Sequence, residues 1–483
     1  MSLIKKRKVL DGVYWVEIPK VNLFILCGCP ADSIKHLFKM GLVQNIEHKG
    51  VQYQTGPNAI LLSDLLFQKG ELSNLSEFPF LHMFYNQGMI LPKHPNNTGN
   101  HPYLIGSEEQ VNAQMNYIFR GNYGLVSEKE YKKLKVSDDF IRENIRVKLK
   151  FAFGRFSPSE EMINGIPVFD QITEIKDGVT IQRKTINVFE ISFHGKSVVV
   201  DLNLKKYRKY KPTYQLPNIK LKKPYFGIVH TGEGNGWDPK RPCVSSVVIF
   251  NGKIFLIDTG PNIVQTLKAL KIKIKEIEGI FFTHVHDDHF AGLYSIISKN
   301  TKIKIFATAV VQSTLEKKLA ALLLKKQSEV KSLFQYHELK LDQWNDYQNM
   351  LIKPLLSPHA IDTTIFVFKV RGNDRDYTYG HFSDIAAISW LENMLVKQSG
   401  DNGISMEYLN YVKECFALKL DVKKVDVGGP AIHGDEEDFV DDPSKKLVLA
   451  HTTHPLNKRQ LEIGRQAEFG ELDILIENPP DEN

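Results

Sequence analysis

Several things are scarce in this chain, and each scarcity closes off a class of protein. Only four cysteines occur in 483 residues: Cys27, Cys29, Cys243 and Cys415. That is too few for a disulfide-stapled scaffold of this length. Cys27-Gly28-Cys29 has no second half that would complete a zinc site, so buried thiols are expected. No stretch approaches 18 uninterrupted apolar residues, which leaves no candidate for a membrane-crossing helix. Lys5-Lys6-Arg7-Lys8 is basic, but no apolar segment follows it as a secretory leader requires. The expectation is a cytoplasmic protein without a membrane partner. Charge of one sign is not in large excess either. The 62 Lys and Arg stand against 56 Asp and Glu, a net charge of +6, which does not by itself demand a polyanionic partner. No internal repeat and no long low-complexity segment stands out.

The length predicts two or three domains with ample cores. Residues 1–145 read as an N-terminal α/β domain of unassigned role. Within it, residues 21–26 form a buried strand, and Asp32 or Ser33 caps a helix that runs through Leu37 and Met40 and stops before Gly41. Residues 77–97 and 117–124, rich in aromatics, Asn, Gly and Pro, either line a pocket or pack as loops. Residues 146–202 are β-rich: 179–182 and 188–193 alternate apolar with polar, and Asp177-Gly178 and His194-Gly195 fall where hairpin turns belong. Residues 203–224 read as a basic linker. Between Lys205 and Lys223 lie eight basic residues and no acidic ones, interleaved with Tyr207, Tyr210 and Tyr214. This is either a solvated connection or a surface for RNA or another phosphate-bearing substrate. Residues 225–475 alternate strands and helices, and 476–483 read as a tail.

The chemistry concentrates at Thr283-His284-Val285-His286-Asp287-Asp288-His289, directly after an apolar strand. Side chains of an extended segment alternate with period two, so His284 and His286 point the same way and can bind one ion. Asp288 and His289, where the chain turns into a helix, suit a neighbouring ion. Imidazoles and carboxylates in this mixture suit zinc, iron or manganese. Two ions need more ligands, and three more candidates sit at strand ends: His359, Asp384 and His451. The set then closes with His284, His286 and His359 on one ion, Asp288, His289 and His451 on the other, and Asp384 between them. Paired divalent ions share a water and lower its pKa toward neutrality. His454 competes with His451, and His381 reads as an outer or surface residue. Asp258, at another strand end, reads as a carboxylate that orients a ligand histidine. Gly232-Glu233-Gly234-Asn235-Gly236 is either a phosphate-approaching loop or a plain turn. His433 is either the general acid for the leaving group or a structural histidine.

These residues resemble the metallo-β-lactamase superfamily. Asp258-Thr259-Gly260, the 284–289 run, His359, Asp384 and His451 follow its order over about half the chain. The resemblance implies an α/β protein with a four-layer αβ/βα sandwich, a dinuclear site at one edge, and here an additional N-terminal α+β region. The details look most like the phosphodiesterase branch that includes tRNase Z and class II cyclic-nucleotide phosphodiesterases. A Gly-rich loop precedes Cys243-Val244-Ser245-Ser246, His433 falls where that branch has a catalytic histidine, and Val448-Leu449-Ala450-His451-Thr452 resembles its last ligand motif. The chain departs from tRNase Z in following His433 with Gly434-Asp435 and in showing no clear Gly/Pro-rich tRNA-grasping arm. The implied function is a metal-dependent hydrolase with two divalent ions, zinc first and iron or manganese admissible. It would act on a small-molecule or nucleotide phosphodiester, a cyclic nucleotide or RNA, through a metal-held hydroxide, with Asp288 and His433 as catalytic residues. The alternatives are a lactone, thioester or other ester hydrolase of the same fold, and a di-iron binding or sensor protein. Homo-oligomerisation is left open.

Overall fold

The computed structural model describes residues 3–299, 303–396, 403–429 and 432–481. Met1 and Ser2, Pro430 and Ala431 in the segment leading to His433, and Glu482 and Asn483 of the expected tail lie outside the described residues. The chain forms two units: residues 1–122, 157–213 and 318–326, and residues 123–156, 214–317 and 327–483.

In the second unit, the strand Ser245–Phe250 is buried along its whole length, and Ile277–Phe281 exposes part of Glu278 alone. Such runs mark strands covered on both faces. Asn251 and Gly252 take positive φ of 47° and 73°, which matches the twist a two-residue hairpin needs, and Lys253–Ile257 returns antiparallel to Ser245–Phe250. Ile277–Phe281, Lys304–Ala307 and Gln335–Glu338 then add in parallel. Phe226–Gly232 and Leu472–Ile476 complete a seven-stranded sheet at the other edge. A second, six-stranded sheet begins as an antiparallel meander from Asn345–Tyr347 to Asp376–Phe382 and ends with Val422–Asp426 and Lys446–Ala450 in parallel.

The two sheets enclose an aromatic core. Phe281 sits at its centre, with ring centroids 4.6 Å from Phe306, 5.0 Å from Phe368, 5.5 Å from Phe366 and 5.8 Å from Phe255. Helices cover both outer faces. Met406–Phe416 buries Leu409, Val412 and Phe416 with Leu355, Ile365 and Leu449, and Asp138–Phe151 adds Val147 to the same cluster. Ile263–Ala269 and Leu293–Ile297 bury Leu267, Leu293 and Ile296. The result is the expected αβ/βα sandwich.

The first unit repeats part of this topology. Its six-stranded sheet runs Lys5–Leu10, Val13–Ile18, Leu23–Cys27, Ala59–Leu61, Tyr103–Gly106 and Asn164–Pro167, with two antiparallel pairings followed by three parallel ones. This is the order and polarity of Phe226–Gly232 through Gln335–Glu338. A four-stranded meander from Thr173–Lys176 to Lys196–Asp201 covers it, with a shared core that includes Ile25, Leu61, Ile181, Phe189 and Ile191. The repeat is one of strand order and polarity, which pairings distant in the chain create and local sequence does not display.

The hairpin turns at Asp177-Gly178 and His194-Gly195 form as expected, all four residues with positive φ. The loop readings do not all survive. Glu77–Leu81 is a short α-helix continued by one wide turn over His82–Asn86, and residues 117–123 end the helix Glu108–Tyr123. Phe80 and Phe84 in the first and Tyr117 and Ile118 in the second are fully buried, and that burial outweighs the weak helix propensity of aromatic residues. All four cysteines are free and buried. Among the described residues no helix is long and apolar enough to cross a membrane.

Replacing the central ring tests this core. Phe281→Ala should cost about 3–5 kcal/mol of unfolding free energy, read as a lower urea midpoint; a loss under about 1 kcal/mol would mean the sheets do not close over that ring.

Candidate metal centre

Every residue singled out as a ligand lies at or just beyond the C-terminal end of a strand, where the rim of an α/β sheet gathers loop side chains. The 284–289 run follows Ile277–Phe281, His359 follows Met350–Ser357, Asp384 follows Asp376–Phe382 and His451 follows Lys446–Ala450. All seven are at least nine-tenths buried. Three groups have one donor atom per residue within 4.8 Å of one another: His284, His286, His359 and Asp384; Asp288, His289, Asp384 and His451; and Asp384, Asp426, His433 and His451.

The first trio is close. His284 Nε2 stands 3.1 Å and His359 Nε2 3.3 Å from His286 Nδ1. With metal–nitrogen bonds of about 2.0–2.1 Å, tetrahedral ligands stand roughly 3.3 Å apart. The far nitrogens are tied down. His359 Nδ1 meets Ile432 O at 2.9 Å, and His284 Nδ1 meets Thr283 Oγ1 at 3.1 Å. In the second group Asp288 Oδ2 is 3.2 Å from His451 Nε2 and 3.6 Å from His289 Nε2. Asp384 divides its oxygens: Oδ2 lies 3.5 Å from both His284 Nε2 and His359 Nε2, and Oδ1 lies 3.0 Å from His289 Nε2 and 3.4 Å from His451 Nε2. Asp288 Oδ1 is buried without a hydrogen-bond partner. Buried polar atoms are rarely left so, and here it lies among carboxylates and imidazoles, the donor set of a divalent cation.

The protonation pattern agrees. Burial and the nearby charge of His289 push His284 well below its ordinary pKa, and burial takes His359 down to about 4, so both rings are neutral. Burial opposes charge on His289 and His451 as well. There Asp288, Asp384 and Asp258 hold His289 well above its usual value, and Asp384, Asp426 and Asp288 hold His451 at about 10. Burial would raise Asp288, but His289 and His451 bring it to about 2. The buried carboxylates thus draw positive charge to His289 and His451, charge that a divalent cation would also supply.

Asp258 sits where expected. Its Oδ2 is 2.8 Å from His289 Nδ1 and accepts from Thr283 Oγ1 at 2.6 Å, and its Oδ1 accepts from Thr283 N at 2.8 Å. Asp258 and His451 both adopt left-handed φ, 64° and 63°, which non-glycine residues hold only where the surroundings enforce it. A Cβ at Gly260 would lie 2.1 Å from Asp288 O, so only glycine lets this loop touch the histidine turn. His433 is partly exposed, its ring centroid 4.5 Å from that of His451. His454 is exposed and belongs to none of these three groups, whereas His381 is buried and bonded to Tyr379 at 2.8 Å. The glycine-rich loop is not an open anion cradle, since the amides of Gly234, Asn235, Trp237 and Asp238 already donate to Pro242 O, Thr452 O and Asn235 Oδ1.

Sequence reasoning missed Asp426 and Lys424. Asp426 Oδ2 accepts from His433 Nδ1 at 3.0 Å and Ile385 N at 3.1 Å. Its Oδ1 accepts from Gly428 N at 2.8 Å and lies 3.4 Å from His451 Nδ1. With its oxygens so engaged it orients two histidines. The signal was weak, because the strand Val422–Asp426 carries Lys423 and Lys424 in its middle, unlike the apolar strand before Asp258. Lys424, fully buried, donates at 2.8 Å each to Gly232 O, Ser245 O and Glu233 Oε1. Glu233 in turn accepts from Thr452 N through its carbonyl at 3.3 Å, which fixes the turn after His451.

The family profile described as "Anti-Pycsar protein Apyc1" matches residues 226–398. The chain is 22% identical over 246 residues to the cAMP/cGMP-dependent 3',5'-cAMP/cGMP phosphodiesterase B of Dictyostelium discoideum, covering 50% of this chain and 22% of that protein. It is 41% identical over 59 residues to ribonuclease Z of Clostridium kluyveri, covering 12% of this chain and 20% of that protein. The chain thus spans about a fifth of the length of these curated relatives. Among solved structures, a diphosphatase of the PhnP family aligns with a TM-score of 0.38 and 16% identity, over 51% of this chain and 96% of that one.

Asp438 offers a pH test of the loop that carries His433. Burial, Asp435 and Glu392 raise its carboxyl to about 6, although Ile388 N donates to it at 2.9 Å. A raised carboxyl pKa in the folded state means stability is fully present below the ordinary carboxylate pKa and is lost as pH rises through about 6. Asp438→Asn keeps an acceptor for Ile388 N and removes the charge. Its Tm should exceed wild type at neutral pH, and the gap should vanish toward pH ~4. An equal gap at both ends would show that the carboxyl does not titrate there.

Proposed function

We propose, from the metallo-β-lactamase fold of the second unit, that the chain is a metal-dependent phosphodiesterase with a dinuclear site. His284, His286 and His359 would hold one divalent ion, and Asp288, His289 and His451 the other. The observation that carries this reading is Asp384, with one carboxylate oxygen toward each trio, the arrangement a shared ligand requires. Such a pair, zinc by its donor set, supplies Lewis acidity and lowers the pKa of water toward neutrality.

The protein's own groups manage protons and position. Asp288 Oδ1, buried and without a hydrogen-bond partner, is placed to accept the proton of the attacking water. Asp426 fixes His433 through Nδ1, so Nε2 is left to protonate the departing oxygen. The names of the relatives, a cyclic-nucleotide phosphodiesterase and a ribonuclease, favour a phosphodiester over a lactone or thioester. An RNA contact of the first unit itself has support in its stretch after residue 204, where Lys205, Lys206, Arg208, Lys209 and Lys211 are exposed and Tyr207 is 88% exposed.

Metal quantitation followed by turnover of bis-p-nitrophenyl phosphate, 3',5'-cyclic nucleotides, RNA and lactones tests the proposal. Two ions per chain and phosphodiester cleavage abolished by a chelator are expected, whereas lactone turnover with inert phosphodiesters would overturn the substrate class. Asp288→Ala and His286→Ala should each lose metal and activity with circular dichroism unchanged, and either variant at full metal content would refute the ligand set. His433→Ala should keep both ions while kcat falls roughly 10²–10⁴-fold.

A further inference from the structure

The turn that carries His359 is laced to the other ligand-bearing turns. Ser357 Oγ donates to Asp384 O at 2.7 Å, Ala386 N to Pro358 O at 2.7 Å, and Thr364 N to Thr283 O at 2.9 Å. Within it, three residues past His359, lies Asp362, a carboxylate 2% exposed. It accepts from Leu125 N at 3.1 Å, Tyr131 Oη at 2.5 Å, Thr314 Oγ1 at 3.3 Å, and Lys148 Nζ at 3.2 and 3.1 Å. Lys148, 1% exposed, also donates to Tyr131 Oη at 2.7 Å and to Leu125 O. Gly124 leaves room for the carboxylate, since a Cβ there would lie 2.6 Å from Asp362 Oδ2.

Three of these partners come from residues 123–156, which precede the strands of the second unit by some distance in sequence and fold with it. Moving a buried carboxylate away from its cation and hydrogen-bond donors is costly. Here they surround it in one place, so the turn has one seat. We infer that Lys148 and Tyr131 are positioning residues for His359, acting through Asp362. The inference rests on the assignment of His359 as a metal ligand.

The test uses the full chain stripped of metal and titrated with zinc by calorimetry, beside Tm and steady-state kinetics. Wild type should take two ions. Lys148→Met should weaken one of the two roughly 10–100-fold and leave the other within twofold, with kcat reduced and KM little changed. Tyr131→Phe, which removes one hydrogen bond and keeps the ion pair, should weaken the same ion by a smaller factor. Val412→Ala, in the helix-covered core, should lower Tm and leave both zinc affinities unchanged. If Lys148→Met and Tyr131→Phe lower Tm yet keep both affinities at wild-type values, the network supports the fold alone and the inference is wrong. Should Lys148→Met not fold, Tyr131→Phe decides by the same criterion. Fewer than two zinc ions on wild type would instead refute the ligand assignment.

Discussion

The site depends on charge balance in a place without water. Asp288, Asp384, Asp258 and Asp426 are all buried within reach of one another's imidazoles. Carboxylates so placed remain ionised only if positive charge is brought to them. The carboxylates favour protons on His289 and His451, and divalent cations supply the same sign of charge. Around this the strand ends must meet to within a hydrogen-bond length, and the fold supplies that meeting.

The sheets meet this demand through outer partners. Each ligand histidine whose far nitrogen is placed has it facing an oxygen: Asp258 for His289, Thr283 for His284, Ile432 O for His359, and Asp426 for His451. Such contacts select tautomer and ring angle. Beyond them, buried lysines hold the turns. Lys424 binds Glu233 beside the His451 turn, and Lys148 binds Asp362 beside His359. Buried pairs of this kind add little net stability but are costly to half-remove, which suits them to fixing one geometry.

The first unit shows what the topology does without the site. It has the same strand order, yet where the second unit follows its strand with the histidine run, Ala59–Leu61 is followed by Leu62-Ser63-Asp64. Asp64 there accepts from Asn187 N and Arg183. Among the described residues, every group able to hold an ion lies in the second unit. Sheet order is therefore compatible with a metal site and does not create one; the side chains at the strand ends do.

Much of the chemistry could be read from the chain, because period-two alternation makes His284 and His286 share a face and apolar runs mark where strands stop. The strands before His284 and His451 were legible for that reason, as were the hairpin turns at Asn251-Gly252 and Asp177-Gly178, whereas the strands that lead into His359 and Asp384 were not. The helices Glu77–Leu81 and Glu108–Tyr123 were not, since their aromatic residues take a helical face only once a core exists to bury it. Nor were the repeated topology, the left-handed backbone of Asp258 and His451, or the roles of Asp426, Lys424 and Lys148. Local sequence fixes which way a side chain leaves its own strand. Which strand ends become neighbours depends on sheet order across separations such as the 163 residues between Asp288 and His451, and only tertiary structure decides that.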